Sequence, residues 1–287
     1  MKQGTESQTA VYVAMGRAMA HGTTSATGFT DPTALALLPE DARRQVERAR
    51  RGTPPSGLRE RFARAVMVQR SKAMVARTIA IDDAVRGAPS SQLVILGAGL
   101  DGRAWRMPEL RDVVVFEVDH PDSQRAKRAR AGALEPAARD IRFLPVDFAR
   151  DALEDALAGA GHDPARPTTW IWEGVVMYLT VQEIEATLAV IARRSAVSSR
   201  LIVAYHSPAL LLRVFGPLVR WVGEPLKSTF EPDAMRALLA KHGFAVVSDE
   251  GLPTAAKRLP EDVARAAAVA KHLRIVVADR RPAAGSV

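Results

Sequence analysis

Leu93-Val94-Ile95-Leu96-Gly97-Ala98-Gly99-Leu100-Asp101-Gly102 is the stretch on which the fold turns. Its first four residues form a short, continuous apolar run, the pattern of a strand buried on both faces. The glycines that follow let the backbone turn tightly and approach a ligand without a β-carbon in the way, and the next helix would offer free N–H groups. Asp119 stands 22 residues beyond Gly97, at the end of a second apolar run. A doubly wound sheet places there the carboxylate that holds ribose hydroxyls, so glycine loop and acid together point to a nucleoside ligand.

Further runs at 113–116, 141–146, 169–172, 200–205, 244–247 and 273–277 bring the strand candidates to seven. Helical periodicity fills the spaces between them. Thr9 is read as the cap of a helix carrying Val11, Met15 and Met19, which ends at Gly22; a short segment follows at 33–38. A turn-rich break at 51–57 precedes a long helix over 58–85, and a further helix spans 122–134. Thr180-Val181-Gln182-Glu183 reads as a capping box opening a helix with Ile184, Leu188 and Ile191 on one face. Met235, Leu238 and Leu239 mark another, stopped at Gly243. This alternation predicts an α/β fold with a doubly wound, mostly parallel seven-stranded sheet. The chain is divided as one domain: an N-terminal helical cap over 1–57, a cofactor-binding core over 58–206, a lid insertion over 207–232 and the rest of the core over 233–287. The insertion is too long for an ordinary connection and is expected to supply part of the substrate pocket.

Composition narrows the function. Of 287 residues, 47% are hydrophobic and 25% charged, as in a soluble globular enzyme. No run approaches the roughly 18 apolar residues of a membrane span. Arg17 interrupts the first helical pattern, so no signal peptide is read and a cytoplasmic location is expected. Without cysteine there are no disulfides or thiolate ligands, and the six histidines form no metal-binding spacing, so no metal is expected. The net charge of +8 sits in separate clusters, Arg43/Arg44/Arg48/Arg50/Arg51 and Arg125/Lys127/Arg128/Arg130, read as solvated helix faces. With 5% aromatic residues there is little to stack on bases, and no nucleic-acid partner is expected.

Which nucleoside cofactor binds decides the reaction. In a nicotinamide enzyme Gly102 should open a full helix along a pyrophosphate, yet Pro108 follows after six residues, and no Tyr-x-x-x-Lys exists. Asp147, with Phe148 beside it, closes the third strand, and Glu173 closes the fourth. Three acidic strand ends around one crevice suit a neutral-to-cationic ligand and favour S-adenosyl-L-methionine, whose sulfonium and ammonium are positive.

The segments 96–103, 116–121, 145–148 and 173–179, with Arg77-Thr78 and Asp82 ahead of them, resemble the leucine carboxyl methyltransferase family, including its bacterial branch and polyketide carboxyl O-methyltransferases. The resemblance implies a Rossmann-like class I methyltransferase fold. It also implies roles: Arg77 on the methionine carboxylate, Gly97 and Gly99 along the methionine portion, Asp119 on the ribose, Asp147 and Phe148 on adenine, and Glu173 near the methionine ammonium. One departure stands out. The family has Thr where this chain has Gly102, so the third glycine is read as incidental to ligand binding.

The resemblance further implies O-methylation of a carboxyl group on an acidic small molecule of bacterial secondary metabolism. A hydroxyl acceptor is the nearest alternative, and a non-catalytic S-adenosylmethionine-binding regulator is another. A carboxylate is already ionised at neutral pH, whereas a phenol or alcohol needs a base. His206, directly after the fifth strand, is the candidate base or else a structural histidine. Tyr178 either hydrogen-bonds the acceptor or packs in the interior.

Overall fold

The run at 93–96 is strand β1 (Gln92–Leu96), buried along its whole length. Leu93 and Ile95 enter one hydrophobic core with Val115, Ile171 and Ile202. Val94 and Leu96 enter another with Phe116, Trp170 and Leu201. Both faces are thus covered, which is why the sequence shows no alternation. The computed structural model describes residues 7–88, 90–148, 152–208 and 227–282.

With β2 (Val114–Asp119), β3 (Asp140–Pro145), β4 (Thr168–Trp172), β5 (Arg200–His206), β6 (Phe244–Gly251) and β7 (Leu273–Arg280), β1 forms a seven-stranded sheet ordered β3-β2-β1-β4-β5-β7-β6. The first five strands are parallel. Only β7 runs against its neighbours, inserted between β5 and β6. The chain winds outward from β1 to β3 and then crosses back to β4, so the order reverses between β1 and β4. Such reversals open a crevice at the carboxyl ends of the strands. Leu96 lies opposite both Val118 and Trp172, which brings the next residues, Gly97, Asp119 and Glu173, to one edge of that crevice.

Helices α1 (Gln8–Ala20), α2 (Thr33–Leu37), α3 (Glu40–Arg50) and α4 (Leu58–Arg86) pack into the first core. The single turn α5 (Arg103–Arg106) follows the glycine loop, and α6 (Pro121–Ala131) follows β2. The second core is covered by α7 (Leu153–Gly159), α8 (Val181–Arg193) and α9 (Pro232–Lys241). Two more helices, α10 (Leu252–Ala255) and α11 (Glu261–Val269), return to the first face. The capping box at α8 is formed, Thr180 and Glu183 each satisfying the other's backbone N–H.

Two expectations change, and a third falls largely outside the described residues. Ser7 caps α1, its hydroxyl accepting from the Ala10 N–H at 3.3 Å, so Thr9 lies inside the helix. Lys127 is not solvated: it is 1% exposed and its Nζ lies 2.7 Å from the equally buried Glu117 of β2, with Trp105 beneath the ammonium. Glu117 points into the layer between sheet and α6, where a carboxylate needs a counter-charge. Most of the expected lid, 209–226, lies outside the described residues. Among the described residues no helix is long and apolar enough to cross a membrane.

Candidate active site

The carboxyl ends of β1, β2 and β4, the segment after β3 and the inner side of α1 surround a cavity of about 560 Å³. Gly97 forms its floor at φ +67°, a left-handed conformation, and a β-carbon there would lie 2.2 Å from Val175 Cγ2. No side chain fits, for both conformational and steric reasons. The N–H groups of Gly97 and Ala98 both donate to Val118 O, at 2.8 and 3.0 Å, tying the loop to the end of β2.

Asp119 is held from two sides. The Gly99 N–H donates to one carboxylate oxygen and the His120 N–H to the other at 2.6 Å. Burial pushes this carboxyl above its ordinary value, and the two N–H groups pull it back. Each oxygen retains lone-pair capacity for a further donor, as a ligand diol requires.

On the opposite side of the loop, Arg77 of α4 pairs with Glu173 after β4, Nε to Oε1 at 2.7 Å. Both line the cavity. A guanidinium beside a carboxylate is the complement of an amino-acid zwitterion. Burial opposes ionisation of Glu173, but Arg77 and Arg103 prevail and hold it below the ordinary carboxylate range. Asp147 and Phe148 line the far wall, and Tyr178 lines it from the one-turn 3-10 helix Val176–Tyr178. A guanidinium–carboxylate pair, a carboxylate with acceptor capacity to spare and the Asp147–Phe148 segment of the lining suit the three portions of S-adenosylmethionine.

His206 is not among the residues lining this cavity. It ends β5 with its ring stacked on that of His272, centroids 5.2 Å apart. Burial, His272 and Arg77 drive its pKa down to about 4, so the imidazole is neutral in the folded protein. The structure therefore brings Arg77, Gly97, Gly99, Asp119, Asp147, Phe148, Glu173 and Tyr178 to one cavity and sets His206 apart.

Five charged residues behind the loop have no role in the sequence reading. Arg17 of α1 lines the cavity, donates to Leu100 O and pairs with Asp31 at 2.9 Å. Asp101, Arg103 and Arg106 join Asp31 in a buried ionic cluster around Asp82. The available signal was Arg17 itself, a lone charge in an Ala, Gly and Met stretch over 14–20. Gly102 also acquires a physical reason: a β-carbon there would lie 2.0 Å from Thr33 Oγ1 of α2. The glycine admits the cap, not a ligand.

A family model for leucine carboxyl methyltransferases matches residues 10–192. A putative S-adenosyl-L-methionine-dependent methyltransferase of Streptomyces avermitilis is 35% identical over 180 residues, covering 61% of this chain and 62% of the relative. Another, from Frankia alni, is 36% identical over 177 residues, 60% of this chain and 59% of its own length. The match thus spans about three-fifths of those relatives. A crystal structure of a putative methyltransferase from Thermobifida fusca superposes with a TM-score of 0.58 at 14% identity, covering 98% of this chain and 97% of that one. That likeness supports the fold. The family match runs from α1 to α8, through the glycine loop, Asp119 and Glu173; the chain belongs to the leucine carboxyl methyltransferase family.

Proposed function

We propose that the chain is an S-adenosylmethionine-dependent O-methyltransferase acting on a carboxyl group of an acidic small molecule of secondary metabolism. The observation that carries the reading is the Arg77–Glu173 pair facing the same cavity as the Asp119 carboxylate. When bound, S-adenosylmethionine supplies a methyl group on a positively charged sulfur. Arg77 holds the carboxylate end of the ligand and Glu173 its ammonium. Asp119 accepts from the ribose hydroxyls, and Asp147 and Phe148 hold the adenine. Tyr178, on the cavity wall, hydrogen-bonds the acceptor. An in-line displacement asks chiefly for alignment in a dry pocket, which fixed side chains supply. A carboxylate acceptor arrives ionised, consistent with a histidine candidate that lies outside the cavity lining.

Calorimetry with S-adenosylhomocysteine and with NAD tests the cofactor: the first is expected to bind and the second not. Asp119→Ala is expected to weaken S-adenosylhomocysteine by about 1–3 kcal/mol; unchanged affinity would reject the ribose assignment. Methyl transfer from labelled cofactor to a library of carboxylic acids and phenols tests the acceptor. Base-labile methyl esters are expected. Phenol ethers alone would overturn the carboxyl assignment, and binding without turnover on any acceptor would favour a regulator.

A further inference from the structure

Arg103 is 1% exposed and is not among the residues that line the cavity, yet it touches three carboxylates. Its Nε lies 2.7 Å from Asp82 Oδ1, and its Nη1 donates to Asp101 and, at 3.0 Å, to Glu173 Oε2. The Arg103 backbone N–H donates to the other oxygen of Asp101 at 2.7 Å. Asp82 is in turn held by Arg106 at 2.7 Å, and Arg106 and Arg17 share Asp31 at 3.7 and 2.9 Å. Four arginines and four carboxylates therefore form one buried, charge-balanced cluster that ends at the Arg77–Glu173 pair.

Resting on the proposed cofactor, we propose that Arg103 is a positioning residue for the amino-acid end of the ligand, acting through Glu173 and never touching the ligand itself. Glu173 is shared between two guanidiniums, one oxygen to Arg77 and the other to Arg103. Remove Arg103 and the whole carboxylate becomes available to Arg77. A bidentate Arg–carboxylate pair is the strongest arrangement open to them. That pair competes at once with the ligand carboxylate for Arg77 and with the ligand ammonium for Glu173. The loss falls on the zwitterion alone, because Asp119 and the adenine wall take their support from Gly99, His120 and the second core.

The test compares two ligands that differ in that end. S-adenosylhomocysteine carries the amino-acid portion; 5′-methylthioadenosine keeps ribose and adenine without it. Arg103→Met is expected to weaken the first about 10- to 100-fold, the size of one charge-assisted contact, and the second less than about threefold. A structural role confined to the glycine loop would weaken both alike, and equal losses overturn the proposal. Should circular dichroism show Arg103→Met unfolded, Arg103→Lys carries the test with the same selective loss expected. In a Glu173→Gln background the Arg103 substitution is expected to add nothing; fully additive losses overturn the route through Glu173. Wild-type protein that binds neither compound overturns the cofactor reading and this inference together, whereas binding of both with equal losses in the variant overturns this inference alone.

Discussion

His206 and Gly102 show how a single position acquires meaning only from its surroundings. His206 stands where a doubly wound sheet presents its ligand-binding edge, but burial and the adjoining His272 and Arg77 keep the ring neutral down to about pH 4. Its protonation therefore does not change between pH 6 and pH 8. With a carboxylate acceptor, His206→Gln is expected to keep turnover within about tenfold, and wild-type turnover to stay flat across that window, since general-base catalysis contributes about a hundredfold or more. A loss of several hundredfold with fold and cofactor affinity intact would replace the carboxyl acceptor with a hydroxyl. Gly102 reads in sequence as part of a ligand loop. Only the approach of Thr33 reveals that the missing side chain makes room for the cap. A contact 69 residues away in the chain leaves no local pattern.

At the scale of elements, legibility followed burial geometry. Strands β1, β2, β4 and β5 are covered on both faces, and a continuous apolar run is the direct record of that. The same run looks identical in either direction, so the reversal of β7 was not readable. Helix α8 announced itself through Thr180 and Glu183, a local exchange of hydrogen bonds. Helices α7 and α11, short and rich in alanine, carry too few large residues to show a period. Helix α6 misled for a related reason: Arg125, Arg128 and Lys127 are neighbours in sequence, yet the α-helical turn sends Lys127 inward to Glu117. This pair gives the element its own prediction. Lys127→Met leaves a buried carboxylate uncompensated and is expected to destabilise the protein by about 3–5 kcal/mol. Replacing both partners in Glu117→Leu/Lys127→Met is expected to cost much less, because neither charge then needs desolvation. Urea unfolding of the two variants checks this, and a double variant at least as unstable as the single would reject the account.

Across the whole molecule, the charges that titrate near neutrality pull in opposite directions, and the pH dependence of stability follows from their balance. Burial is the leading influence that lowers His162, His206, His242 and His272 below the ordinary histidine value of 6.5, the first two to about 4. As pH falls through 6.5 the unfolded chain takes up these protons and the folded chain does not, so each such histidine removes stability, at about 1.4 kcal/mol per pH unit while the difference lasts. Glu117 acts the other way. Burial pushes it up to about 7 against the pull of Lys127, so the folded chain is the one that gains a proton between about 7 and 4.5. One carboxyl offsets about one of the two strongly shifted histidines, and the remainder prevails. Below pH 4.5 the balance worsens, because Asp82, Asp101 and Glu173 are all held beneath the ordinary carboxylate range by the arginines of the buried cluster. Protonating them leaves Arg77 and Arg103 buried without counter-charge and Arg106 with Asp31 alone, which loosens the packing behind the glycine loop. The expected curve has a broad maximum near pH 7, a decline from about 6.5 to 4.5 and a steeper fall below. Urea midpoints measured from pH 4 to pH 8 test it, and midpoints that hold level or rise as pH drops from 6.5 to 5 would mean that the histidines are not held neutral as the fold requires.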